Sequence, residues 1–346
     1  MKLFQQLLVA PAALGLLAPL SVSASEVNFD DISTYSNDNL EIDVNSFNQK
    51  STNNLLAGGE GLVDSSDTIG GFSETTTASF GVDFVVGAED GAASEAAAFG
   101  YQMGIGLSTS FTGEDSLDVT IDIGDGSSGA LAFDDTSDAL TVDGLTYTFP
   151  VGGATVMVGD STDISAVYTG ACAYSSFTDY MGNCGTGSTV GVGGNGVTAA
   201  MSYAFDSGFS LAGGISSPTS TILTEEGSDV YGLEAAYTAD SWGLAVAYSD
   251  SEGTTGWGVN GTYSFDFATL SAGWESVDSG TTADGFFVGL SFAEVGPGSL
   301  DIGMGTTGNF SSTDTEYYIY EASYAYPVND GMTITPGVYI KEGTTD

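Results

Sequence analysis

Asp83, Asp118, Asp122 and Glu234 are carboxylates that sit on the polar parity of segments whose alternate residues are apolar. Side chains alternate across a strand with period two, so these acids face one compartment and their oily neighbours another. Placing them in lipid costs a few kcal/mol each near the midplane, roughly 2–4 at most, so their natural place is a wet lumen. What four fixed negative charges can do there is attract cations and exclude anions.

The rest of the chain offers little other chemistry. Its 46 Asp and Glu stand against Lys2, Lys50 and Lys341, with no Arg and no His, for a formal charge of −43. Such a molecule repels nucleic acid and anionic surfaces, although adaptation to salty water, where screening removes self-repulsion, explains the same acidity. Without His there is no Ser-His or Cys-His nucleophile pair and no imidazole ligand, which argues against an enzyme. Asp134 and Asp135 are adjacent, but nothing nearby sets their pKa values apart for acid–base work. Asp118-x-x-x-Asp122-x-x-Asp125-Gly126 lacks the spacing of a calcium loop. No cofactor is implied, and Ca2+ would bind only loosely, through pooled carboxylates in acidic loops. Gly191 to Gly196 spells GxGxxG but precedes a strand pattern instead of opening a helix, which argues against a dinucleotide site. Cys172 and Cys184, close together in a Gly/Ser-rich stretch, read as one disulfide of an exported protein.

The elements that carry these residues are strands. MKLFQQLLVAPAALGLLAPLSVSA, residues 1–24, has a charged start, an apolar centre and a small-residue cleavage site, and reads as an export leader. Residues 25–75 are polar and aperiodic, a periplasmic segment or partial plug. From residue 76 to 346 fifteen alternating segments follow, best seen at 99–111, where Phe99, Tyr101, Met103, Ile105 and Leu107 alternate with Gly100, Gln102, Gly104 and Gly106. Short turns and mostly longer, more polar connections join them alternately. Strands of membrane-crossing length with aromatic ends predict an all-β fold, a transmembrane up-and-down antiparallel β-barrel of about 16 strands. An even count is needed to close such a barrel, so a sixteenth strand is expected beyond the C-terminal residues.

Four stretches resemble the outer-membrane porins of marine unicellular cyanobacteria, related to the carbohydrate-selective porin family. They are MKLFQQLLVAPAALGLLAP at the start, FTGEDSLDVTIDIGDG at 111–126, LTYTFPVGG at 145–153 and YAYPVNDGMTITPGVYIKE at 324–342. Residues 25–75 hold neither the surface-layer-homology domain nor the coiled coil usual in that family. The resemblance implies passive uptake of small hydrophilic solutes across the cell outer membrane, with lipid, solutes and cations as partners and a homotrimeric assembly. In porins the third long loop commonly folds inward. Here that loop is 161–196, which would set Asp160, Asp163 and Asp179 near the constriction. The reading is therefore a porin that prefers cations or neutral solutes; the alternative is an exported structural or adhesive β-barrel without an open pore.

Overall fold

A computed structural model describes residues 12–18, 76–90, 96–126, 136–178, 196–219, 221–223, 229–308, 310–311 and 315–343. The strands are β1 (Ala12–Ala18), β2 (Thr76–Gly87), β3 (Ala98–Thr109), β4 (Ser116–Asp125), β5 (Thr141–Val151), β6 (Ala154–Thr162), β7 (Gly196–Ala204), β8 (Phe209–Ser217) and β9 (Val230–Thr238). They continue with β10 (Trp242–Ser251), β11 (Thr254–Ser264), β12 (Thr269–Asp278), β13 (Thr282–Val295), β14 (Gly298–Thr306), β15 (Phe310–Ser311), β16 (Tyr318–Asn329) and β17 (Met332–Lys341). The fifteen segments expected from alternation are all present, as β2 to β14, β16 and β17. The segment at 25–75 lies outside the described residues.

All pairings are antiparallel. From β2 to β14 each strand pairs with the next, β14 continues to β16, and β16 to β17. The two-residue β15 lies beside β13. The sixteenth wall position, between β17 and β2, is taken by β1, which comes from the other end of the chain. It matches β17 at four positions and β2 at five, whereas β2 and β3 match at twelve. With β1 in place the pairings run round a ring of sixteen strands, an even count that leaves no strand without a neighbour on either side.

The wall is inverted relative to a soluble protein. Phe80, Leu211, Leu233, Trp242, Leu244, Trp257, Ile302, Val338 and Ile340 are exposed on its outer face. Hydrocarbon, not a protein core, is the environment these side chains suit, and the ring satisfies the backbone within the wall. Tight turns close one end. At Asp206-Ser207-Gly208 the Gly208 N–H donates to the Phe205 carbonyl at 3.1 Å and its φ of 87° requires glycine. Rings gather at this end: Phe209 lies 4.7 Å from Tyr237, Tyr237 5.0 Å from Trp242, and Tyr203 4.6 Å from Phe205, centroid to centroid. Such amphipathic and aromatic belts mark a membrane–water boundary. The opposite end carries the longer connections, except that β10–β11 and β12–β13 are joined tightly there.

Candidate functional site

Residues directly opposite in a ladder share a face, so the register shows which side chains line the lumen. Asp83 lies opposite Gln102, Gly104 opposite Asp122, and Ser108 opposite Asp118. From Asp118 the same face continues through Thr146, Gly159, Thr198 and Ser216 to Val230, on the parity of Glu234. It then runs through Ala247, Gly258 and Glu275 to Gly285, and from Phe287 through Gly305 to Ile319 on the parity of Glu321. Asp83, Asp118, Asp122 and Glu234 thus occupy one face of the ring.

The connection between β6 and β7 lies against that face. Asp163 caps a single 3-10 turn, Ile164–Val167, by accepting from the Ser165 N–H at 2.7 Å. Ile164 is fully buried and packs on Met157, Ala200 and Val230. Beyond the turn the chain is extended, so its backbone donors need partners, and the wall supplies them in sequence. Thr169 N–H donates to Glu234 Oε1. Ala171 N–H donates to Asn260 Oδ1 at 2.9 Å and Ala173 N–H to Ser271 Oγ at 3.1 Å. At the far side Glu321 accepts four bonds. Oε1 takes Phe177 N–H at 2.7 Å and Tyr174 O–H at 3.0 Å, while Oε2 takes Thr178 N–H at 2.9 Å and Thr178 O–H at 2.7 Å. The loop therefore crosses the inner wall from β7 to β17 as a strap.

Small residues on the wall make room for it. Tyr168 sits over Gly232, Ala171 over Gly243, Tyr174 over Gly289 and Gly303, and Phe177 over Gly337. Tyr174 also packs on Phe287, ring centroids 4.9 Å apart, and on Ile319; both of these wall residues are wholly buried. Burial, then the charges of Glu234 and Asp163, holds the Tyr168 phenol well above its ordinary pKa. Burial and the charge and hydrogen bond of Glu321, with a lesser effect of Asp301, do the same for Tyr174. Both phenols are neutral over the physiological range, and Tyr174 donates a hydrogen bond to Glu321.

The acids proposed from sequence have distinct placements. Asp83 accepts from Gln102 Nε2 at 2.9 Å, Asp118 is half-buried, and Asp122 is buried over Gly104. Glu234 faces inward, but it is covered by the strap and bonded to it. Asp160 is not in the lumen: it lies opposite Leu145 on the outward parity, next after the inward Gly159 in the unbroken alternation of β6, and it caps the Ser161 N–H at 2.8 Å. Asp163 positions the start of the strap. Asp179, Cys184, Asp134 and Asp135 lie outside the described residues. Cys172 is disulfide-bonded, and Cys184 is the only other cysteine in the chain. Among the described residues no three Cys, His, Asp or Glu converge as a metal site, and no helix is long and apolar enough to cross a membrane. Of the GxGxxG residues only Gly196 is described, and it starts β7.

Glu321, Asn260 and Ser271 are the anchors that sequence reasoning missed. A signal for the strap did exist. Met157, Phe287 and Ile319 are apolar residues on the otherwise small or polar parity, and each lies beneath it.

Residues 165–344 match the profile of the Gram-negative porin family. No curated protein matches the chain. Among solved structures it is similar to a mutant porin of Rhodobacter blastica, at 17% identity over 78% of this chain and 98% of that one, with a TM-score of 0.50. It is also similar to OprB of Pseudomonas putida, at 12% identity over 78% of this chain and 93% of that one, with a TM-score of 0.58. At these identities the likeness concerns the fold alone.

Proposed function

Since the chain belongs to the Gram-negative porin family, we propose that it is a diffusion channel for small hydrophilic solutes with a preference for cations. It is an outer-membrane channel protein and not an enzyme. The observation that carries the cation preference is the charge balance of the lumen face. Asp83, Asp118 and Asp122 line it, the strap adds Asp163, and among the described residues the single base is Lys341, on the same face opposite Ile319 at the end of β17; the chain has no Arg or His. A unit charge 4 Å from a carboxylate gains or loses about 1 kcal/mol even in bulk water, roughly fivefold in local concentration. Several such charges beside a narrowed path enrich cations and deplete anions together. Transport is equilibrium diffusion, without turnover and without a cofactor. Affiliation with the cyanobacterial carbohydrate-selective porins and trimeric assembly belong to the same reading, supported by the sequence stretches above. An export leader over residues 1–24 belongs to it only if β1 leaves with that leader, which opens the place between β17 and β2 to another strand.

The test is the zero-current potential of the purified protein in a planar bilayer across a KCl gradient. Steady ohmic conductance with a cation-selective potential is expected. A potential near zero or of anionic sign overturns the preference. No conductance from folded protein returns the structural or adhesive barrel.

A further inference from the structure

Glu234 is 4% exposed, and its Oε1 accepts the Thr169 N–H, while its Oε2 is buried without a hydrogen-bond partner. The Tyr168 hydroxyl is also buried and unpartnered. It lies above Gly232, one pleat from Glu234 on the same face of β9. The Asp163 carboxylate, one turn earlier in the strap, adds its negative field at this hydroxyl. A buried carboxylate without a counter-charge is costly. Among the described residues the only base is Lys341, at the end of β17, which is far round the ring from β9.

We propose that Glu234 Oε2 and the Tyr168 hydroxyl oxygen form a binding site for one alkali cation, which locks the first half of the strap to the wall. The donors are all oxygen, the chemistry that hard cations select. One carboxylate balances one monovalent charge, and too few acids converge for a dedicated divalent site. The phenol oxygen keeps a lone pair for the ion while its proton points away. The site extends the cation-channel reading, because the ions that cross the lumen are those that fill it, but its test is separate from selectivity.

The experiment is thermal unfolding of the detergent-solubilised protein, with KCl replacing tetramethylammonium chloride at constant ionic strength. Constant ionic strength removes general screening from the comparison. If the site half-fills at about 30 mM, about 300 mM K+ raises the folded-to-unfolded ratio roughly elevenfold by mass action. Wild type is expected to show a saturable rise of the midpoint, and Glu234→Gln and Tyr168→Phe to lose it. Tyr168→Phe removes only the hydroxyl oxygen, leaving the ring and the Ile164 contact over Gly232, so the test survives if Glu234→Gln folds poorly. A rise of equal size in both variants places the ion elsewhere, and no rise in wild type means that a proton or a water satisfies the pair; either overturns the site. A cation-selective potential in wild type without the K+-dependent rise sinks the site alone, and the reverse result sinks only the selectivity.

Discussion

Tyr174 and Glu321 are 147 residues apart in the chain and meet across the lumen face, hydroxyl to carboxylate oxygen at 3.0 Å. Two backbone N–H groups and the Thr178 hydroxyl converge on the same carboxylate, which is 3% exposed. Glu321→Ala removes every acceptor at once, and each buried donor left unpaired costs about 1–3 kcal/mol. The β16 wall does not depend on this side chain, so the barrel should fold with the far half of the strap released. Higher and noisier single-channel conductance is the expected result. Glu321→Gln, which keeps one carbonyl oxygen, should fall between the two. Unchanged conductance in Glu321→Ala would show that other anchors suffice.

The glycine sockets make a complementary prediction. A Cβ at Gly303 would stand 2.5 Å from the Tyr174 hydroxyl oxygen and 2.8 Å from its ring carbon Cζ. Gly303→Val should therefore displace the ring at a cost of about 1–3 kcal/mol, the usual range for overpacking. Adding Tyr174→Ala removes the collision, so the second substitution should recover part of the loss by urea unfolding. Additive losses would mean that Gly303 and Tyr174 do not touch.

These two sites show which parts of the molecule were legible in the sequence. The fifteen wall strands follow from period-two alternation, because lipid on one side and water on the other impose it residue by residue. The inward strap is read from its length and its place as the third long connection, since extended chain in a lumen has no period of its own. The apolar Met157, Phe287 and Ile319 beneath it are a further signal, which that reading leaves unused. Glu321 was not legible as an anchor. It sits on the polar parity like many acids here, and only the fold brings the donors of residues 174–178 to it. Asp160 was misplaced for a different reason: it belongs not with the loop that follows but to β6, which runs on to Thr162, and unbroken alternation sets it outward beside Val156 and Val158.

Alkaline pH should loosen the strap. The folded-state pKa of Tyr174 lies above its unfolded value of about 10. A group whose pKa is raised by folding contributes stability that is complete below the unfolded value and is lost as pH climbs through the folded one. The unfolding midpoint should therefore fall as pH is taken above about 10. Tyr174→Phe should fall less steeply, with Tyr168 supplying part of the remaining slope. Parallel curves for the two proteins would remove Tyr174 from the titration.

Asp115 gives the opposite sign at the short-turn end. Its carboxylate accepts from Tyr147 O–H at 2.6 Å, and from Ser110 O–H and the Phe111 and Thr112 N–H groups at 2.8–2.9 Å. The Tyr147 bond, then those of the turn, holds its pKa well below the usual carboxylate range. A depressed pKa contributes stability that is present above the unfolded value, about 3.9, and is lost as pH falls through the folded one. Asp115→Asn should thus be less stable than wild type at pH 7, and the gap should close progressively below about pH 4. Denaturant midpoints at both pH values measure it, and a gap that persists in acid would assign the loss to shape and not to charge.

Asp118 tests the lumen field itself. It is half-buried on the wet face of β4, opposite Ser108 and Thr146, and away from the strap anchors. Asp118→Asn keeps the size of the side chain and deletes one fixed charge. Screening decides where the effect shows: the Debye length is about 10 Å at 0.1 M salt and about 3 Å at 1 M. At the lower salt the charge reaches across much of the lumen, so the cation-selective potential should shrink measurably and low-salt conductance should drop. At the higher salt wild type and variant should converge. Equal potentials at 0.1 M would mean that this carboxylate lies outside the path of the ions, and selectivity would then rest on Asp83 and Asp122 or on the strap.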